Sequence, residues 1–169
     1  DYAGIDADGF VALHGRKSEV FKTSTGRRIA PAIVESHLRQ IPYVEHAVVF
    51  GANRPIVAAV LAVGEAALRS RLRGGAPDAD LASTAEAVRA DVADATRDLP
   101  DCLRPAGVVL TTRSFSIADG LVTPNLKVRR RQVESAFGPQ LDELFEALGS
   151  ATTHRPALPR AAGTALLLA

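Results

Sequence analysis

The sequence predicts an α+β domain: an N-terminal β-hairpin, then a small mixed sheet of about three strands flanked by helices. Three observations carry that expectation. Ile56 to Val63 is an almost unbroken apolar run, the pattern of a central strand covered on both faces. Val44 to Phe50 and Gly107 to Thr112 are further runs rich in Val. Around them, apolar residues recur at helical spacing after Pro31, after Ser83 and after Gln132. A chain of 169 residues suits one ordinary domain, and burying roughly 70% of its unfolded surface gives it a core without disulfides or metal.

Residues 1–14 read as a hairpin, because Asp6-Ala7-Asp8-Gly9 carries an Asp-Gly turn signal and Phe10 to Leu13 is strand material. The acidic spacing does not make a calcium loop, since Gly4 and Gly15 occupy its first and twelfth ligand positions. Gly15 to Ile29 is polar and charged, with a Thr-Ser-Thr-Gly turn at its centre. A helix opens at Pro31, with Ala30, Ile33, Val34, His37, Leu38 and Ile41 on one face, and ends at Pro42. His37 in that stripe is expected to pack, not to ligate a metal. Val44 to Phe50 and Ile56 to Val63 form an antiparallel hairpin across Gly-Ala-Asn-Arg-Pro. A loop near Arg73 to Pro77 precedes a second helix, for which Ser83 and Glu86 have capping-box spacing and Val88, Val92, Ala95 and Leu99 form the buried stripe. Pro100 stops it. Leu121 to Arg131 is a loop entering a basic segment. The last helix is expected over Gln132 to Leu148, with a break at Gly138-Pro139. Residues 150–169 are rich in Ala, Thr and Pro and read as a tail or linker.

Composition excludes several classes. Cys102 is the single cysteine, which leaves no internal disulfide and no Cys-rich zinc site; it is expected to be an inert, buried thiol. No metal site is expected, since His14, His37, His46 and His154 have no ligand spacing. No apolar run approaches the ~20 residues of a membrane span, and the N-terminus lacks the pattern of a signal peptide, so a cytoplasmic location is expected. No phosphate loop of the G-x-x-x-x-G-K-[ST] type and no G-x-G-x-x-G is present. A net charge of +1, no Trp and 5% aromatic residues argue against nucleic acid as a partner. A basic module using Lys127 to Arg131 on RNA or DNA is the weakest alternative.

Two segments stand out. Only three of the 20 basic residues are Lys, namely Lys17, Lys22 and Lys127. Where Arg serves for most cations, a retained Lys suits a position where one compact charge must reach a reacting group. The first segment, Gly15-Arg16-Lys17-Ser18-Glu19-Val20-Phe21-Lys22-Thr23-Ser24-Thr25-Gly26-Arg27-Arg28-Ile29, combines five cations, hydroxyls and a glycine just before a helix, which suits a polyanion. The second, Leu121-Val122-Thr123-Pro124-Asn125-Leu126-Lys127, puts a lysine on a loop tip ahead of Arg129-Arg130-Arg131.

These residues resemble the C-terminal portion of an AMP-forming acyl-CoA synthetase of the long-chain fatty-acid type, in the adenylate-forming superfamily. Asp1 to Gly9 resembles the end of that family's large N-terminal domain, a Thr-Gly-Asp motif followed by Asp-x-Asp-Gly, with Asp1 as the motif's Asp. Gly15 to Gly26 resembles the hinge-and-loop motif, and the helix with Ile33-x-Glu35 follows as in that family. Pro42-Tyr43-Val44-Glu45-His46-Ala47-Val48-Val49-Phe50-Gly51 matches the next strand, and Leu121 to Lys127 resembles the motif of the catalytic lysine. The similarity covers residues 1–137, with four motifs in order.

The resemblance implies a division of the chain into residues 1–17, the end of the large domain; 18–149, a mobile C-terminal domain; and 150–169, the tail. It implies that a fatty acid is activated with ATP, accompanied by Mg2+, to acyl-AMP, and that the acyl group then passes to coenzyme A. Asp1 would bind the ribose hydroxyls and Arg16 would approach the same nucleotide. Lys127 would bridge the substrate carboxylate and the α-phosphate, where a preorganised ammonium stabilises accumulating negative charge. Rotation about a hinge at Ser18 would then bring the loop around Gly26 to the active site in place of Lys127. Gly26 would let the pantetheine arm pass close to backbone, and Arg27 and Arg28 would meet phosphates. The partner implied is the large N-terminal adenylation domain, without which this chain is expected to be inactive. A related enzyme that loads an acyl carrier protein is the other reading. Ser18 stands where Asp or Lys is usual, and Thr25-Gly26 where Gly-Gly is common; the segment from Ala66 to Pro77 departs from the family pattern.

Overall fold

A computed structural model describes residues 2–5, 7–15, 19–73, 81–150 and 165–168. The element order is β1 (Tyr2–Ile5), β2 (Val11–Gly15), β3 (Phe21–Lys22), β4 (Arg28–Ile29), α1 (Pro31–Leu38), β5 (Val44–Phe50), β6 (Ala58–Val63), α2 (Glu65–Arg73), α3 (Leu81–Ala95), β7 (Gly107–Thr111), α4 (Arg130–Ser150) and β8 (Ala165–Leu168). The α+β class is as the sequence predicts. Antiparallel β1 and β2 form the N-terminal hairpin, with Ile5 opposite Val11. A second two-stranded hairpin pairs β3 with β4.

The main sheet has the order β5-β6-β7-β8. β5 and β6 are antiparallel, β6 and β7 parallel, and β7 and β8 antiparallel. All six residues of β6 are buried, as its unbroken apolar run requires of a central strand. Successive residues of that strand point to opposite faces, so β6 feeds two cores. Ala59, Leu61 and Val63 join Val34 and Leu38 of α1 and Val88 and Val92 of α3 in one cluster. Ala58, Val60 and Ala62 join Phe115 and the α4 residues Val133, Phe137, Leu141 and Leu144 in the other. Between β5 and β6 the chain turns sharply at Gly51, whose φ is +151. A Cβ there would lie 2.8 Å from the Ile56 carbonyl oxygen, so only glycine fits.

Four sequence expectations change, and one element appears that the sequence left unassigned. Glu65–Arg73 forms helix α2, and its Leu68 is buried in the first core. The helix expected to start with a Ser83 cap already starts at Leu81, because helix-favouring Leu81 and Ala82 extend it past the serine. α4 runs unbroken through Gly138-Pro139. Its buried stripe continues across the proline, which itself faces solvent, so water can satisfy the carbonyl that loses its partner. Cys102 is exposed, not buried: it lies in a single 3-10 turn, Asp101–Leu103, where Leu103 packs on the core instead. Lastly, the segment expected to be a tail contributes β8, which adds a fourth strand beside β7.

Among the described residues, no helix is long and apolar enough to cross a membrane. α2 and α3 are tied to the sheet through Asp91, which accepts from Tyr43 Oη at 3.0 Å and from Arg71 Nη2 at 2.9 Å. Burial, then the Asp91 charge and hydrogen bond, push the Tyr43 phenol above its ordinary pKa.

Candidate functional site

Lys127 sits in a closed turn that leads from the β7 side of the sheet into α4. Leu121 and Val122 are buried at its entrance, and Val122 bridges Val128 across it. Within the turn, the Thr123 amide donates to the Lys127 carbonyl at 2.8 Å and the Leu126 amide donates to the Thr123 carbonyl at 2.8 Å. The Lys127 amide donates to Thr123 Oγ1 at 3.1 Å. Leu126 is held at φ +56, a left-handed conformation that costs a residue with a Cβ roughly 1–2 kcal/mol. The turn is therefore fixed by its own hydrogen bonds and carries local strain, a combination that clusters at functional sites. Lys127 and Leu126 both point to solvent. Among the described residues, the Lys127 ammonium has no ion-pair partner.

The turn borders an open groove of about 1170 Å³ that also takes in Phe21, Glu35, Arg39 and His46. His46 stacks on Phe115 with ring centroids 5.3 Å apart and planes inclined by 6°. Burial lowers its pKa below the ordinary histidine value; Glu45 opposes that shift and Arg39 adds to it. Beside the turn, Arg130 Nη2 donates to Glu35 Oε1 at 2.6 Å, joining the first residue of α4 to α1. Their side chains are 28% and 14% exposed.

The second candidate segment forms the β3–β4 hairpin. Thr23 organises it: its amide donates to the Arg27 carbonyl at 2.9 Å, its carbonyl accepts from the Gly26 amide at 3.0 Å, and its Oγ1 accepts from the Arg27 amide at 3.0 Å. Gly26 is at φ +85, where a side chain would strain the backbone; a Cβ would approach only the Lys22 Cε, at 3.9 Å. The hairpin tip is steadied by the 51–55 loop, since the Ser24 amide donates to the Arg54 carbonyl at 2.9 Å and the Asn53 amide donates to the Lys22 carbonyl at 3.0 Å. Gly26, Arg27 and Arg28 are all exposed.

Of the residues singled out in the sequence, Lys127 borders the groove, whereas Gly26, Arg27 and Arg28 lie outside its lining. Phe21 of β3 nevertheless lines the same groove, so the base of the hairpin adjoins the lysine turn while its Gly26 tip stands outside the lining. Asp1, Arg16 and Ser18 lie outside the described residues. The Glu35–Arg130 pair and the His46–Phe115 stack escape sequence reasoning, because each joins residues far apart in the chain. One signal for the first is available: an acid beside the apolar stripe of α1 needs a cation or donors if the helix packs.

Residues 19–149 match the family described as the AMP-binding enzyme C-terminal domain. The chain is 29% identical over 154 residues to the long-chain-fatty-acid–CoA ligase FadD15 of Mycobacterium tuberculosis, covering 86% of this chain and 26% of that protein. It is 26% identical over 139 residues to the chloroplastic long-chain-fatty-acid–[acyl-carrier-protein] ligase AEE15 of Arabidopsis thaliana, covering 81% and 18% respectively. In structure it is similar to the A domain of carboxylic acid reductase from Segniliparus rugosus, solved with AMP and a co-purified carboxylic acid. That TM-score is 0.70 at 22% identity, over 86% of this chain and 22% of that one, a likeness of fold. The chain spans 18% to 26% of the length of these relatives.

Proposed function

As the chain belongs to the family of C-terminal domains of AMP-binding enzymes, we propose that it is the mobile C-terminal domain, residues 18–149, of a fatty-acid–CoA ligase. In the first half-reaction a carboxylate oxygen attacks the α-phosphorus of ATP and pyrophosphate leaves. In the second, the thiol of coenzyme A attacks the acyl carbonyl of the adenylate, a thioester forms, AMP leaves and the thiol proton passes to solvent. The single observation that carries this reading is the strained, internally bonded turn that presents, beside the groove, a lysine unpaired among the described residues.

Lys127 supplies a compact ammonium that stabilises the charge building up between carboxylate and α-phosphate. Its turn is preorganised, so little reorganisation accompanies the reaction. Asp1 and Arg16 bind the nucleotide from the adjoining segment, and Ser18 is the pivot. In the second half-reaction the Gly26 hairpin replaces the lysine turn, lets the pantetheine arm pass, and offers Arg27 and Arg28 to phosphates. Mg2+ would accompany the ATP phosphates when the nucleotide binds.

The test is Lys127→Ala in the full-length ligase. Acyl-adenylate formation, followed as pyrophosphate release, should fall by about 10²- to 10³-fold, while thioester formation from supplied acyl-adenylate persists. Unchanged pyrophosphate release would refute the catalytic assignment. A second reading, in which an acyl carrier protein accepts the acyl group, is favoured by the similarity to a relative named for that activity. Comparing coenzyme A with a phosphopantetheinylated carrier as acceptor separates the two.

A further inference from the structure

A lysine that stabilises one transition state must be delivered to one place, yet the Lys127 turn is exposed and its ammonium is tied to nothing among the described residues. Three residues on, past the Val122–Val128 bridge and the Arg129 amide's bond to the Leu121 carbonyl at 2.8 Å, Arg130 ties the start of α4 to the sheet. Its Nη2 donates to Glu35 Oε1 at 2.6 Å and its Nη1 donates to the Val49 carbonyl at 2.7 Å. The same Glu35 Oε1 accepts from the Val49 amide at 2.9 Å. Val49 lies on β5, the edge strand of the sheet. Its outward N–H and C=O, which would otherwise lack a strand partner, are taken by the acid and the guanidinium. The guanidinium also sits 5.9 Å from the Phe50 ring centroid.

A closed ring thus joins α1, the edge of β5 and the first residue of α4. Both charges are mostly buried, with 14% exposure for Glu35 and 28% for Arg130, so removing either leaves the other poorly solvated. Three residues span at most about 10 Å even when extended, so a shift of Arg130 is passed to the lysine turn with little slack. The Gly26 hairpin is not part of this ring.

We propose that Glu35 and Arg130 are positioning residues for Lys127: by pinning the start of α4 to the sheet edge they set the lysine for the adenylation half-reaction and leave the thioester-forming one untouched. The proposal rests on the reading of Lys127 given above.

The experiment uses the full-length ligase with Glu35→Gln, which keeps an oxygen for the Val49 amide, and Arg130→Lys, which keeps the charge but not the fork. Each half-reaction is measured separately, with Lys127→Ala alongside. Both positioning variants should lower kcat for acyl-adenylate formation by about 10- to 100-fold, with KM for ATP changed by less than about threefold. Thioester formation from supplied acyl-adenylate and coenzyme A should stay within about threefold of wild type. An equal fall in both half-reactions would mark the pair as a general support of the fold and overturn the proposal. So would normal adenylation by Glu35→Gln and Arg130→Lys when Lys127→Ala is inactive. If Lys127→Ala itself adenylates normally, the reading of the lysine fails, and the positioning role falls with it.

Discussion

Burial against Phe115 holds the His46 imidazole below its ordinary pKa. The unfolded chain therefore takes up this proton at a higher pH than the folded one, and folding stability contributed here falls as pH drops through about 6.5. His46→Phe keeps a ring against Phe115 and removes the proton. Thermal unfolding followed between neutral and mildly acid pH should show a midpoint that declines less steeply in the variant than in wild type. Equal slopes would mean that His46 is solvated in both states. The sequence marks His46 only as a histidine without ligand spacing, because the ring that desolvates it arrives from a distant segment. Lys127 is different: its rarity among arginines, the preceding Thr-Pro and the following Arg run are all local, and all are legible. What the sequence hides is the left-handed Leu126 beside it, since no Leu announces such a conformation.

Elements were legible where one face dominates their composition. β5 and β7 fall within a residue of their apolar runs, and α1 starts at the proline that favours a helix's first turn. α2 was not, since four of its nine residues are charged and its place depends on Leu68 entering the core and on Arg71 meeting Asp91. α4 shows how packing overrules local signals. Proline inside a helix costs about 3 kcal/mol, but fully burying an apolar side chain stabilises by about 1.5–3 kcal/mol, and Val133, Phe137, Leu141 and Leu144 are all buried. Gly138 adds a smaller and removable cost. A Cβ there would meet nothing within 4 Å, so Gly138→Ala should raise stability by about 1 kcal/mol. Denaturant unfolding measures this, and a loss of stability would show that the helix needs the glycine as a flexible joint.

At the scale of the whole molecule, the sheet separates two cores, and Lys127 and Gly26 sit on different elements: the lysine turn at the start of α4, and the tip of the β3–β4 hairpin, outside the groove lining although Phe21 of β3 borders it. Under the proposed function this separation lets one domain serve two half-reactions in turn, and it makes them separable by mutation. In the full-length ligase, Gly26→Trp should block thioester formation while sparing acyl-adenylate formation. Gly26→Ala introduces the same backbone strain, roughly 1–2 kcal/mol, without the bulk, and should retain most thioester formation. If both variants block thioester formation, the hairpin's conformation matters and the passage of pantetheine does not; if both retain it, the hairpin has no part in that half-reaction. The sequence by itself determined the fold class, the central strand and the position of the lysine turn, because periodicity, turn residues and residue scarcity are local properties of the chain. Only the tertiary structure decided that the edge of β5 holds Glu35 and Arg130, that α4 stays whole, that Cys102 faces solvent and that β8 joins the sheet. Those outcomes depend on which distant groups meet and on how much water they exclude, and no short stretch of sequence contains both partners.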